Sequence, residues 1–528
     1  MQDGLRRAAA IILSVGSLLF VYTTVRHVWE ARLVVPFFDE WDFLEWFRDV
    51  ELQGLSAAAL WMPHNGHHLP LPRLIYLLRD VWTDGSPATL VIGNLLLQGA
   101  IVALLARVVL REGAFAGTTM RWVLMACTIV LLSWTVQIEN LYWSIQIIYV
   151  LATAQAVGSL YCMARSRGQL VLLGAALLLA LSDTLTLGAG LGVWPALLAM
   201  AIALRERWMT IGVVLASTLA VAIVYAAFPT EVTEGVAASL GRPVDLLHYM
   251  ARYLGPPFAN DGLRVVLGGV LIVAATVTIA TALWRGVGSR FVGLHLGLAT
   301  FGLSVALLTA LARLPVGIGE AGSSRYAAFS ALFWVGLVSL AAHTVVMRRQ
   351  QVARWGLYAT LTAFGVFLVA ASQNVAPRQF LSRSDAATAA FMSVAVGMPD
   401  EDAIRQNLHP RPEVVRRIAG FLQDRRYGLF GSPLVGTLYT TPTLPATGAA
   451  CPATVTVESI EGGERLVGGF AGIRVPYWLM LVGADGEVTG LGVRDRLGNR
   501  LTVYSRRPLA GATLYGLVGA ELCKIAGF

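Results

Sequence analysis

Long apolar runs fill the first two thirds of the chain and give way to short alternating runs near its end. About eleven of the early runs approach the roughly 20 apolar residues with which a helix crosses a bilayer. They lie at about 8–27, 88–110, 122–137, 144–163, 169–183, 187–204, 209–228, 263–283, 291–312, 326–346 and 356–372. The pattern predicts a polytopic α-helical membrane protein with about 11 transmembrane helices, all within residues 1–372.

The remainder of the chain, 373–528, has a different pattern. Residues 373–449 predict two or three helices, of which the clearest begins at Pro412 and ends before Gly428. From about 450 the sequence has short β-like runs separated by turn signals such as "ADG" and "LGN". We therefore predict an α+β domain that ends in a small β-sandwich over 450–528.

Charge is sparse and unevenly placed. Charged residues make up 14% of the chain, against about 25% in soluble domains. Arginines recur in alternate short loops, namely Arg6, Arg7, Arg107, Arg111, Arg121, Arg165, Arg167, Arg205, Arg207, Arg285, Arg290, Arg348, Arg349 and Arg354. Loops 138–143 and 184–187 contain no Arg or Lys. The positive-inside rule then predicts a cytoplasmic N-terminus, with loop 28–87 and the C-terminal domain on the outer side.

The predicted location is a bacterial inner (cytoplasmic) membrane, with the C-terminal domain periplasmic or extracellular. The net charge of +8 follows from this topology, and we do not predict a nucleic-acid partner. Cys127 and Cys162 fall inside predicted spans, where a thiol acts as a small apolar side chain. Cys451 and Cys523 lie in the external domain, where oxidising conditions favour a disulfide between them.

The first external loop, 28–87, contains the most unusual segment, "FFDEWDFLEWF" at 37–47. It predicts a helix at the membrane interface. Asp39, Glu40 and Asp42 are candidate catalytic residues, because a carboxylate can take the proton of an acceptor hydroxyl during group transfer. The alternative is an amphipathic interfacial helix whose acids face water.

A second segment of this loop, "MPHNGHHLPLPRLIYLL", begins at residue 62 and also predicts a helix, entered through prolines. His64 and His67 are candidate substrate-binding residues, and Arg73 is a candidate for forked contacts to phosphate oxygens. The H-x-x-H spacing also leaves a zinc site open. A third possibility is an ordered loop with a satisfied His–Asn network.

Two further segments carry polar groups at the predicted outer surface. Glu139 and Asn140, beside aromatic residues, are candidates for binding a sugar, although helix capping would also explain them. Arg325 starts a span after a Gly/Ser stretch, where it can bind a lipid phosphate or extend to ordinary headgroups. Arg252 is a weaker candidate of the same kind. The chain has no P-loop or dinucleotide fingerprint, so chemistry outside the membrane would need a carrier-borne donor.

These features together resemble the GT-C superfamily of integral membrane glycosyltransferases, which includes protein O-mannosyltransferases and the aminoarabinose transferase of lipid A. The family has an acidic motif just after the first span, matched here by Asp39-Glu40. The segment "HHLPLPRL" at 67–74 is similar to the His-Pro-Pro-Leu-like segment of many members. The family also has about a dozen spans and frequently an external C-terminal domain.

The resemblance implies an inverting glycosyltransferase with a polyprenyl-phosphate sugar donor and a glycan, lipid or protein acceptor. Asp39 would be the base, Glu40 or Asp42 would orient the acceptor, and membrane lipids would surround the site. Arg325, with Arg73 or Arg252, would stabilise the departing phosphate. We predict no cofactor and no metal ligand, while a divalent metal stays open. The alternatives are a polysaccharide polymerase or ligase, a transporter of lipid-linked glycans, and a non-catalytic scaffold.

Overall fold

Apolar helices make up most of the chain up to residue 372. The computed structural model describes residues 2–528 except 117, 229–230, 256–259, 348–350, 373–375, 443–449, 471–474 and 519–520. The helices up to residue 372 are α1 (Gln2–Ala31), α2 (Asp39–Gln53), α3 (Ala57–Trp61), α4 (Pro70–Thr83), α5 (Pro87–Arg111), α6 (Met120–Leu132), α7 (Ile138–Tyr142), α8 (Ile147–Ser166), α9 (Leu170–Thr184), α10 (Val193–Ala203), α11 (Trp208–Ala227), α12 (Glu231–Leu240), α13 (Pro243–Leu254), α14 (Asp261–Arg285), α15 (Arg290–Arg313), α16 (Ala327–Met347) and α17 (Gln351–Ser372).

Within the described part of the chain, eight helical stretches are long and apolar enough to cross a membrane. They are Arg7–Ala31, Pro87–Arg111, Met120–Tyr142, Ser144–Ser166, Trp208–Ala227, Asp261–Arg285, Arg290–Val316 and Ser324–Met347. Three shorter apolar helices are Leu170–Thr184, Gly188–Ala203 and Gly356–Ala370. Each of these stretches coincides with one of the apolar runs in the sequence, so the protein has the helices of a membrane protein.

The loop after α1 is compact and contains α2, α3 and α4. Between α3 and α4 lies a hairpin of two short antiparallel strands, β1 (Pro63–His64) and β2 (His67–His68). Its turn residues, Asn65 and Gly66, both have positive φ, at 48° and 77°. This is the conformation that an Asn-Gly pair favours in a two-residue hairpin.

After residue 375 the chain forms α18 (Ala376–Ala395), α19 (Glu401–Asn407), α20 (Pro412–Asp424) and the single turn α21 (Pro433–Gly436). Seven strands follow: β3 (Ala453–Ile460), β4 (Gly463–Phe470), β5 (Trp478–Val482), β6 (Val488–Arg494), β7 (Arg500–Ser505), β8 (Thr513–Val518) and β9 (Glu521–Gly527). They form one antiparallel sheet in the order β3-β4-β7-β6-β5-β8-β9. The two predicted turns contain Gly486 and Asn499, both with positive φ.

The predicted two-layer sandwich is wrong, because the structure has a single sheet that is rolled into a half-barrel. Its edges approach each other at Cys451, whose N–H donates to the carbonyl of Lys524 at 3.0 Å. Cys451 and Cys523 form the disulfide that the sequence predicts. The inner face has its own apolar core around Leu466, Leu479 and Val503.

The outer face of the sheet packs against helices instead of a second sheet. Val488, Leu491 and Tyr504 belong to the same apolar cluster as the helical part of the chain, and α18 contacts both β6 and β7. Because one helix covers this face, a second sheet is not needed to bury it.

Candidate functional site

The start of helix α2 is held by the C-terminal part of the chain. Phe38 precedes the helix with φ 43°, a conformation that is rare for a bulky residue and persists only where its surroundings enforce it. Its N–H donates to the carbonyl of Leu408 at 2.6 Å. The acidic segment is therefore placed by residues that lie far away in the sequence.

Three of the six acids of α2 pair with arginines that flank or belong to α20. Asp42 accepts a hydrogen bond from Arg411 at 2.7 Å and lies 3.5 Å from His409 Nε2. Two further ion pairs of the same kind join Glu45 to Arg417 and Glu51 to Arg425. We call these three carboxylates, with His409 and the three arginines, the acid–base seam. The seam thus pairs Asp42 and Glu45, two of the four carboxylates of "FFDEWDFLEWF", with basic residues of the same chain.

Glu40 has a different and fully internal environment. Its side chain is 4% exposed and lies 3.6 Å from the guanidinium of Arg79, which is 5% exposed. The carboxylate also accepts hydrogen bonds from the indole of Trp143 at 3.1 Å, from the hydroxyl of Ser144, and from the N–H of Phe37. Burial raises the pKa of Glu40, while Arg79 and the hydrogen bonds oppose that rise.

Arg79 extends this buried network towards the C-terminal segment. It pairs with Asp80 at 2.7 Å and donates to the hydroxyl of Tyr427 at 2.5 Å, and Tyr427 in turn donates to Asp80. The network thus connects α2, α4 and residue 427. This geometry favours a positioning role for Glu40.

Asp39 is the exception among the acids of α2. Its side chain is half-buried, and no hydrogen bond or ion pair to it is found among the residues that the structure describes. The imidazole of His64 lies near enough to Asp39 and Asp42 to feel both charges. Burial lowers the pKa of His64, and the two carboxylates oppose that lowering. His64 packs on Phe43, with ring centroids 4.8 Å apart. A carboxylate next to a histidine is thus left available for a ligand.

A cavity of about 240 Å³ lies beside these residues. Its polar lining includes His67, Tyr149, Arg313 and Tyr326, and the rest is mostly apolar. Asp39 and Arg325 do not line the cavity, but their charges act on the hydroxyl of Tyr149, which does. The structure therefore places Arg313 in the lining of a mostly apolar hollow, with Arg325 directly before the lining residue Tyr326.

His67 enters the cavity as a neutral group. Burial lowers its pKa to about 4, and the charge of Arg313 adds to the effect. A Cβ atom at Gly188 would lie 2.7 Å from His67 Nδ1, so glycine at this position leaves room for the ring. A neutral imidazole can donate or accept a hydrogen bond from a sugar hydroxyl without repelling a cation.

The other sequence-predicted polar residues of the spans meet beside Arg325. Asn140 donates to the backbone carbonyl of Arg325 at 3.0 Å, and the hydroxyl of Ser324 donates to Glu139. Arg325 itself donates to Ser323 Oγ at 3.0 Å and lies 3.6 Å from Glu320. Glu139 and Asn140 thus fix the turn that presents Arg325.

Arg252 is further from the cavity. Its Nε lies 3.0 Å from Asp261 and 3.7 Å from where a Cβ at Gly322 would be. It therefore supports the segment before Arg325 and does not line the hollow.

The prediction that Arg73 binds phosphate is wrong. The guanidinium is 2% exposed, and its Nη1 donates to the carbonyls of Ala59, Leu60 and Met62. Those carbonyls belong to the end of α3, which has no helical partners for them. Burial lowers the pKa of Arg73 to about 10. Arg73 caps a helix inside the loop and faces no ligand.

The histidines of the hairpin diverge. His64 faces Phe43 and His67 faces the cavity, while His68 is buried, stacked on Trp61, with Nδ1 2.5 Å from the Trp61 carbonyl. Over the described ranges, no group of three or more His, Cys, Asp or Glu side chains could hold a metal ion. The zinc alternative has no ligand set there.

Sequence reasoning missed several residues of the site. Tyr149, Arg313 and Tyr326 line the cavity but lie in or at the ends of apolar helices, where single polar residues give no motif. The Asn65-Gly66 hairpin signal was present in the sequence and places His67. The basic residues of "RPEVVRRIAGFLQDRR" offered a complementary charge to the acidic helix.

In chemical terms, the site can accept a proton at Asp39, hydrogen-bond a polar substrate through His67 and Tyr149, and neutralise an anion with Arg313 and Arg325. Its apolar wall suits a hydrocarbon chain. The chain matches no known family model, no curated protein and no solved structure.

Proposed function

We propose that the protein is an inverting membrane glycosyltransferase that moves a sugar from a polyprenyl-phosphate carrier to a cell-envelope glycan, lipid or protein. The observation that supports this proposal is that Asp39, alone among the acids of α2, has no hydrogen-bond or ion-pair partner in the described structure. It lies near Tyr149, which lines a mostly apolar hollow together with Arg313. The proposed setting is the outer face of a bacterial inner membrane, with the N-terminus in the cytoplasm.

The proposed reaction is a single displacement. Asp39 takes the proton of the acceptor hydroxyl while the acceptor oxygen bonds to the anomeric carbon. The bond from that carbon to the phosphate oxygen breaks on the opposite side, and the phosphate leaves on the carrier. Arg313 and Arg325 stabilise the negative charge that develops on the phosphate.

The apolar part of the hollow supports a lipid-linked donor. Leu187, Leu308 and Phe329 line the same cavity as the polar groups. A polyprenyl chain can lie along these side chains while its phosphate meets the arginines. A soluble nucleotide-sugar donor would gain little from that wall.

The test compares envelope glycans by mass spectrometry in a strain without the gene and in strains complemented with wild type, Asp39→Asn or Glu45→Gln. We expect one sugar to disappear on deletion and to return with wild type and Glu45→Gln, because Glu45 is paired in the acid–base seam. Asp39→Asn should reduce transfer at least about 100-fold, the usual contribution of a positioned base. Full restoration of the glycan by Asp39→Asn at equal protein level would exclude this mechanism.

A transporter of lipid-linked glycans is the second candidate, and one observation favours it. Asp183 is 0% exposed near the C-terminal end of the apolar helix α9, and neither carboxylate oxygen has a hydrogen-bond partner among the described residues. Ionisable groups at such depth often serve ion pathways. If Asp183→Asn abolishes the glycan and Asp39→Asn does not, transport is the better explanation. A polymerase or ligase would use the Asp39 site and differ in the length of the product.

A further inference from the structure

A second basic hollow lies at the opposite ends of the helices that form the candidate site. It has a volume of about 280 Å³ and is lined by four arginines, Arg107, Arg111, Arg165 and Arg290. Helix α15 runs from Arg290 at this hollow to Arg313 at the candidate site. With a rise of about 1.5 Å per residue these two residues lie about 34 Å apart, roughly the thickness of the hydrocarbon core. The two basic sites therefore belong to opposite faces.

Among the described residues, one acid lines this hollow beside four arginines, so most of its positive charge is not neutralised. No ion pair is found for these four arginines in the described ranges, and Arg165 donates instead to the hydroxyl of Tyr161 at 3.1 Å. The one acid of the lining, Glu112, accepts from the N–H of Ala114 at 3.2 Å. Arg290 also lies in the first turn of α15, where a cation opposes the helix dipole. A bound anion would offset these costs.

The floor of the hollow is apolar. Leu104, Phe291 and Leu294 line it below the arginines, and Phe291 and Leu294 are 3% and 2% exposed. A free phosphate ion would leave this surface unused, whereas a glycerophospholipid would place its phosphate on the arginines and the start of its acyl chains on the apolar side chains. Basic pockets between membrane helices bind anionic headgroups in this way.

We infer that this hollow binds the headgroup of an anionic phospholipid on the face opposite the candidate site. The sequence-predicted topology makes this the cytoplasmic leaflet. The lipid would join the ends of α5, α8 and α15, of which α8 and α15 continue to Tyr149 and Arg313 at the other face. The inference does not depend on the proposed reaction.

The test measures lipid binding to the purified full-length chain in detergent by native mass spectrometry. Phosphatidylglycerol, phosphatidylcholine and inorganic phosphate are titrated separately. The variant Arg107→Gln/Arg290→Gln removes two charges from the hollow. The control Arg207→Gln/Arg285→Gln removes two exposed arginines from the same end of the helices but outside the hollow.

We expect the wild type to prefer phosphatidylglycerol, and the hollow variant to bind it about thirtyfold more weakly, while the control changes less than about threefold. Equal losses in both variants, or unchanged binding in the hollow variant, would overturn the inference. So would displacement of phosphatidylglycerol by inorganic phosphate at equal concentration, since the site would then bind an ion only. The variant Arg107→Lys/Arg290→Lys is the control for misfolding. It keeps both charges and should therefore retain the lipid preference.

Discussion

Glu40 and Glu51 lie on the same helix, but their ion pairs contribute differently to the free energy of unfolding because they differ in burial. The Glu40–Arg79 pair is 4% and 5% exposed, whereas the Glu51–Arg425 pair is 30% and 44% exposed. Breaking a buried pair leaves an uncompensated charge in a poorly solvated place. When an exposed pair is broken, water solvates the remaining charge, so the loss of stability is small.

We therefore expect Glu40→Gln to lower the free energy of unfolding by roughly 3 kcal/mol. Glu51→Gln, its matched control, should change it by less than about 1 kcal/mol. Thermal and denaturant unfolding of the detergent-solubilised protein provides the measurement. Similar losses for the two variants would show that burial of Glu40 does not govern its contribution.

Sequence alone could place Asp39, Glu40 and Asp42 in one acidic helix after the first span. It could not decide which of them is free, because the deciding partners are remote. Arg79 lies in α4, two helices later, while Arg411 is 369 positions from Asp42. Long-range pairings of this kind leave no local pattern. Arg73 shows the same limit. Its polar loop segment suggests a phosphate ligand, but its guanidinium donates to carbonyls at the end of α3.

At the scale of elements, the acid–base seam joins α2 to α20. The seam brings an acidic helix from the loop after α1 against a basic helix from the C-terminal segment. Its contacts fix the direction in which Asp39 faces, because Asp39 is in the first turn of α2. Opposite charges on the two helices also define their register.

Reversing one pair tests the seam. We expect Glu45→Arg to bring two positive charges together and to loosen the C-terminal segment, which limited proteolysis would detect as faster cleavage. The double variant Glu45→Arg/Arg417→Glu restores an opposite pair and should recover wild-type resistance to within about twofold. If the double variant is cleaved as fast as the single one, the charges do not set this interface.

His409 makes the seam dependent on pH. Burial lowers its pKa, but the hydrogen bond and charge of Asp42 outweigh burial and raise it above its ordinary value. For Asp42, burial would raise the pKa, but His409 and Arg411 bring it below its ordinary value. The His409 contribution is therefore present at low pH and is lost as pH rises through its raised pKa. The Asp42 contribution is lost only as pH falls through its lowered pKa.

We accordingly expect the melting temperature of the wild type to rise as the pH falls from about 8 to about 6, between these two limits. His409→Gln should remove most of this rise, because it cannot gain the proton that Asp42 stabilises. Melting curves at closely spaced pH values would measure the difference. A parallel dependence in both proteins would assign the effect to another group.

Element types were more predictable than their packing. The β-like runs after residue 450, from "ATVTVESI" to "ATLYGLVG", predicted the six strands β3 to β8, and "ADG" and "LGN" predicted the turns at Gly486 and Asn499. The last strand, β9, was missed, since Glu521 and Lys524 interrupt its apolar alternation. Alternation also shows that a strand has two faces without showing what covers the second one. In this protein α18 covers it, and the sequence-based sandwich was wrong for that reason.

At the scale of the whole molecule, the disulfide connects one edge of the C-terminal sheet to the other. Cys451 precedes β3 and Cys523 lies in β9, at a sequence separation of 72. A crosslink across such a loop restricts the unfolded chain. It also keeps the half-barrel from opening along its unpaired edges.

We expect Cys451→Ser/Cys523→Ser to destabilise the C-terminal sheet by about 4 kcal/mol on the chain-entropy model. Protease digestion should then cut within 450–528 at lower denaturant concentration than in the wild type. Cys162→Ala is the control, since this thiol is free and lies in an apolar helix. Equal protease resistance of the two proteins would contradict the prediction.

The hydrogen bond from Phe38 to Leu408, with the seam beside it, has a consequence for biosynthesis. A ribosome completes the loop after α1 early, but the residues that neutralise and orient its acidic helix are translated hundreds of codons later. Any nascent chain or truncation product that ends before residue 408 has Asp42, Glu45 and Glu51 without their arginines. The loop after α1 therefore reaches its final arrangement only when the chain is complete, and a prematurely terminated protein lacks the residues that hold α2 in place.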